Sequence, residues 1–329
     1  MPGCITHYMF AKDCLDKLNN NELKNTLDEN INIFFLGSCG PNFFEYHNNV
    51  PSIFSKNLAN ISNLIHNKNI DLFFEDMINY SINNPYIKFI FNKNNFTDIC
   101  ISYFCGFLSH YLLDRSLHPY IFYLQDKLKD QYKLKSYTSL HKSIETNIDS
   151  IFLYKLKKLT PKEYIKIIDI NISNDEKLIL CDMYNFLIKS SFNKDVSYND
   201  IKSSLNTFKY TQDKLIFSNG FHSKIFLFAK NLLCRTGYIE SKTYSKYNNC
   251  VNDLLNEKNS IWTDPFSNKS SNESVINIYN DALLLYQEII NIFYKYIHNK
   301  NKMMDILNKI DNKSYITNQN FIKPNMIHI

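Results

Sequence analysis

The sequence predicts an all-α protein, and three observations carry that reading. Only 6 glycines and 8 prolines occur among 329 residues, too few for the many tight turns of an all-β fold. No segment sustains an alternation of apolar and polar residues, whereas apolar residues recur at helical spacing over most of the chain. Hydrophobic residues make up 44%, enough to bury the core of a large helical bundle.

In chain order, residues 2–18 lead into a polar, Asn-rich stretch. An apolar run, residues 31–36, precedes Gly37-Ser38-Cys39-Gly40-Pro41-Asn42, whose punctuation marks a loop. Residues 51–80 form a helical segment through Ile53, Leu58, Ile61, Ile65, Leu72 and Phe73, and Asn83-Asn84-Pro85 breaks it. The strongest helix begins at Asp98 and is expected to stop at His118, because Pro119 lacks an N–H and disfavours α geometry before it. Further helices are expected at about 120–130, 137–157, 161–170, 175–193, 197–209, 212–233, 240–257 and 275–298. Thr160-Pro161-Lys162-Glu163 is a helix start with proline in first position. Trp262-Thr263-Asp264-Pro265 opens a polar loop, and a polar tail occupies 300–329. The expectation is one all-α domain with metal-site motifs in 1–150, a helical remainder and no separate β domain.

The charge balance, 37 Lys+Arg against 32 Asp+Glu, is only +5. Its lysines are spread along the chain, which argues against a nucleic-acid partner. Residues 1–12 carry neither a basic n-region nor a long apolar h-region, so no secretory signal is expected. No run reaches the roughly 18 apolar residues of a membrane span. A cytoplasmic protein follows as the expectation, its eight cysteines reduced and scattered without a CxxC pair.

The chemistry concentrates in Ser109-His110-Tyr111-Leu112-Leu113-Asp114-Arg115-Ser116-Leu117-His118-Pro119. His110, Asp114 and His118 stand at i, i+4 and i+8, one face of a helix. The residues before them, 101–108, are apolar almost all round, so this helix should be buried. Ionisable groups in line on a buried helix are costly unless paired or bound to a metal. His141 and Glu145 repeat the i, i+4 device, and imidazole with carboxylate is an ordinary zinc donor set.

These motifs, with Thr6-His7-Tyr8, Gly40-Pro41-Asn42-Phe43-Phe44 and Leu64-Ile65-His66 in order before them, resemble the bacterial zinc-dependent phospholipases C, whose fold relatives are the S1/P1-type nucleases. The likeness in order and spacing covers residues 1–150. It implies a multi-helix bundle of that type holding two or three zinc ions. One ion would take His66, His110, Asp114 and Asn42. A second would take His118, His141 and Glu145, and a third would share Asp114 and take His7. The implied activity is hydrolysis of a phospholipid or small phosphodiester, with transient contact to a membrane surface. Phe43, Phe44 and Tyr46 are candidates for an aromatic substrate wall.

One departure matters. Asn42 stands where the family carries an aspartate proposed as general base. An amide can ligate through its oxygen but brings no charge and takes no proton. Asn42 therefore favours an alternative reading, a catalytically weakened metal-binding or structural member of the fold; a further alternative, nuclease-type chemistry on single strands, rests on analogy with the fold relatives.

Overall fold

The computed structural model describes residues 3–46, 58–83, 93–130, 137–167, 170–216 and 253–320. The chain forms helices almost throughout: α1 (Cys4–Asp16), α2 (Asn21–Glu29), α3 (Ile31–Gly37), α4 (Ala59–Asn67), α5 (Ile70–Asn83), α6 (Lys93–Leu128), α7 (Tyr137–Lys157), α8 (Pro161–Ile167), α9 (Asn174–Phe192), α10 (Tyr198–Ile216), α11 (Val275–Ile297) and α12 (Met303–Ile310). A 3-10 turn spans Gly40–Tyr46, and the strands β1 (Trp262–Thr263) and β2 (Ser270–Ser271) pair antiparallel. The expected helices at 212–233 and 240–257 fall largely on residues outside the described ones.

Helix α6 is the axis of the bundle. Helices α1, α3, α5, α7 and α11 pack around it. Its residues Tyr103, Phe104, Phe107, Leu108, Tyr111, Leu112 and Leu113 are fully buried. Gly106 permits the closest of these approaches: a Cβ there would lie 2.0 Å from the carbonyl oxygen of Phe34 on α3. By length and composition α6 is long and apolar enough to cross a membrane over Asn95–Leu128, although polar residues interrupt it. Here it lies inside the bundle with His110, Asp114, Arg115 and His118 buried along it.

Several boundaries differ from expectation for identifiable reasons. Helix α6 runs through Pro119 to Leu128. Proline removes one hydrogen bond of the ladder, but Leu117, Tyr120, Ile121 and Leu124 are buried on both sides of it, and that packing carries the helix on. The 51–80 segment is described from residue 58 and divides into α4 and α5 at Asn69, which takes a left-handed φ of 51°. The apolar run at 31–36 is helix α3, and the loop after it tightens into the 3-10 turn. The segment read as a polar tail folds as α12 and then returns to the core, where Tyr315 is fully buried.

Capping boxes start α9 at Ser173–Glu176 and α11 at Ser274–Asn277. The Trp262 loop docks on α6: its indole packs edge-on against Tyr120 at 5.2 Å and donates to the Glu273 carbonyl at 3.1 Å. None of the six cysteines among the described residues forms a disulfide.

Candidate metal centre

Two clusters of metal-ligating side chains form on the inward face of α6. The first gathers around Asp114, which is fully buried. Its Oδ1 lies 3.0 Å from Nε2 of His7 on α1. Its Oδ2 lies 3.3 Å from Nε2 of His110 and 3.8 Å from Nε2 of His66 on α4. The last two nitrogens are 3.5 Å apart. The carboxylate thus faces His7 with one oxygen and the His66–His110 pair with the other, the disposition of a bridging ligand.

The second cluster joins α6 to α7. Glu145 Oε1 is 2.8 Å from His141 Nε2 and 4.0 Å from His118 Nε2. Lys142 Nζ sits 3.3 Å from the other oxygen, Oε2. His141 is 13% exposed while His118 and Glu145 are each 3% exposed, so solvent reaches this cluster from the His141 side. Around that opening Phe122 stands 4.8 Å from His141, and Phe266 of the Trp262 loop packs edge-on against Phe122 at 5.1 Å.

The donors fit zinc. Ligand atoms at bonds of about 2.0–2.1 Å from a tetrahedral ion lie roughly 3.3 Å from one another. The triangle of His66, His110 and Asp114 has edges of 3.3, 3.5 and 3.8 Å. Both nitrogens of His7, Nδ1 of His110, both oxygens of Asp114 and Oδ1 of Asn42 are buried with no hydrogen-bond partner among the described residues. Buried polar atoms are rarely left so, and a cation satisfies the acceptors among them.

The outer partners set the tautomers. His66 Nδ1 donates to the Ser62 carbonyl at 2.7 Å, His118 Nδ1 to the Tyr315 carbonyl at 2.8 Å, and His141 Nδ1 to Gln125 Oε1 at 2.8 Å. Each leaves an Nε2 lone pair for a metal. Burial keeps these rings neutral: it lowers the pKa of His66, His110 and His141, and brings His118 down to about 3. Burial would raise the Asp114 carboxyl, but the imidazoles of His110, His118 and His7 outweigh it and hold it well below the usual range. Beside the neutral rings of His66 and His110 the ionised Asp114 carboxylate is a buried negative group, and a divalent cation would neutralise it.

Local sequence explains the placement. Gly40 has a φ of +57°, and a Cβ on it would meet the His110 ring at 2.1–2.6 Å. The Gly-Pro pair therefore lets the 3-10 turn close over the ring and bring Asn42 into the core beside α4 and α6. Asp149, one turn beyond Glu145 on α7, is the anchor for His7. It accepts from the N–H of Ile5 at 3.1 Å, from that of Thr6 at 3.0 Å, and from the Thr6 hydroxyl.

Seven of the eight expected ligand positions lie in the two clusters; the eighth, Asn42, is buried with its oxygen unpartnered among the described residues. The aromatic wall is placed differently. Phe43 and Phe44 are fully buried and pack edge-on against Tyr184, and Tyr46 packs on Phe208. They belong to the core, and Phe122 and Phe266 are the rings beside the second cluster. Sequence reasoning missed Gln125, Lys142, Asp149 and Tyr315. Asp149 continued the i, i+4 series from His141 and Glu145 and was legible; Tyr315 left no local signal.

A family model described as zinc dependent phospholipase C matches residues 6–208. That span holds every residue of both clusters. Neither curated proteins nor solved structures yield a match.

Proposed function

The chain belongs to the zinc-dependent phospholipase C family, and on that premise we propose that it hydrolyses the phosphodiester bond of a phospholipid headgroup at a centre of two or three zinc ions. When bound, zinc neutralises phosphodiester charge and activates water as the nucleophile. The protein supplies the rest. Asp114 offers an oxygen to each side of the first cluster, and His66, His110 and His7 complete its donors. His118, His141 and Glu145 hold the more open cluster, where substrate approaches. Lys142 occupies the second oxygen of Glu145, so the first is directed at the histidines. Phe122 and Phe266 form an apolar lip that suits the glycerol and upper acyl region of a lipid at a membrane surface.

The observation that supports this reading most is the convergence of buried metal-ligating side chains on two points along one helix face, the first of them holding the unpartnered atoms of His7, His110 and Asp114. The test is hydrolysis of a phosphatidylcholine emulsion by zinc-loaded protein, with single-stranded DNA as the competing substrate. Release of phosphocholine that chelator abolishes and zinc restores supports the proposal. Cleavage of DNA alone would assign nuclease chemistry. A second reading rests on Asn42: with an amide at the position of the family's general base, the chain is a weakened member that binds zinc and turns over slowly. Full zinc content without hydrolysis of either substrate would favour it.

A further inference from the structure

We infer that the C-terminal segment 311–320, through Tyr315, is a positioning element that holds ligands of both clusters in register. The inference rests on the zinc-binding reading above, but the segment lies beyond the 6–208 span of the family match. Its backbone touches one ligand residue from each cluster. The Tyr315 N–H donates to the His66 carbonyl at 3.0 Å, and the Tyr315 carbonyl accepts from His118 Nδ1 at 2.8 Å. Its ring, fully buried, stands edge-on to His66 at 4.9 Å and tilted to His110 at 6.0 Å. One residue therefore orients three of the seven histidine and carboxylate ligands.

The segment is itself fastened to the helices that carry those ligands. Tyr111, three residues before Asp114, donates to the carbonyls of Ile310 and Lys313 at 2.8 and 3.0 Å. Arg115, directly after Asp114, donates to Ile310 at 2.6 Å. Asn312 Oδ1 accepts from the first N–H groups of α5 at 3.2 and 3.4 Å, and Ser314 Oγ bonds Asn67 Oδ1 at the end of α4 at 3.0 Å. Left-handed φ values of 62° at Asp311 and 42° at Asn312 turn the chain back into the bundle. Outer partners of this kind fix the ring angle and tautomer of a ligating histidine, and their loss typically weakens metal affinity about 10- to 100-fold.

The experiment measures zinc affinity of the full chain by competition with a chromophoric chelator, for wild type, Tyr315→Phe, Tyr315→Ala, Asn312→Ala and, as a control, Ile289→Ala, a fully buried position on α11. Tyr315→Phe keeps ring and backbone and should stay close to wild type, because the hydroxyl has no hydrogen-bond partner among the described residues. Tyr315→Ala should weaken zinc binding at least about 10-fold. Asn312→Ala, which loosens the segment without opening a large cavity, should weaken it several-fold and carries the test if Tyr315→Ala does not fold. Wild-type affinity in Asn312→Ala and in folded Tyr315→Ala would overturn the inference. An equal loss in Ile289→Ala at matched Tm would overturn it too, since the effect would then be general destabilisation. A wild-type chain that takes up no zinc would instead sink the underlying reading of the centre.

Discussion

Replacing Gly40 by alanine tests the geometry of the first cluster at a residue that is not a ligand. Two costs follow from the structure. A non-glycine residue at φ +57° carries a penalty of roughly 1–2 kcal/mol. The new Cβ would also lie 2.1 Å from Cδ2 and 2.3 Å from Nε2 of His110. Ordinary contact begins at 3.4 Å, so ring and turn must separate by about 1.3 Å. Metal and catalytic sites tolerate displacements of about 0.5 Å. The strain alone should lower Tm by roughly 2–8 °C, at about 2–4 °C per kcal/mol for a domain of this class. Zinc affinity should fall by more than the Tm loss accounts for, because the displaced atom is the nitrogen proposed to ligate zinc. Thermal denaturation with and without zinc, together with chelator competition, reads both effects. The reasoning would be refuted by a Gly40→Ala protein with wild-type zinc affinity, since His110 would then not be held against the Gly40 turn as a ligand.

Three further outcomes are expected. Stability of the zinc-free protein should fall with acid: His66, His110, His118 and His141 have folded pKa values below the unfolded value of about 6.5, so their contribution is complete above that pH and is lost on descending towards about 3, the value for His118. One unit below 6.5, His118 alone costs about 1.4 kcal/mol, and a Tm that is flat between pH 7.5 and 5 would contradict the buried neutral rings. Asp149→Ala should cost about 2–3 kcal/mol, since it strands the N–H groups of Ile5 and Thr6, and should weaken zinc binding through His7; urea unfolding and zinc titration measure the two. Asn42→Asp should raise phosphodiesterase activity at unchanged zinc content, and no gain would count against a hydrolase limited at that position.

Helical periodicity is a local property, and what depended on it was legible without coordinates. The i, i+4, i+8 spacing of His110, Asp114 and His118, and that of His141 and Glu145, placed each set on one helix face, and scarce glycine and proline indicated the fold class. Tertiary packing decided the rest. No local rule shows that the oxygens of Asp114 face different histidines, because His7 and His66 reach them from other helices. Phe43 and Phe44 carry the same sequence signal whether they line a site or a core, and contact with Tyr184 settles which. Pro119 stops an isolated helix, but burial of Tyr120 and Ile121 carries α6 past it. Tyr315 lies 197 residues from His118. Such a contact is bought only by the cooperative burial of many side chains, so a segment that reads as polar in sequence becomes part of the centre in the folded chain.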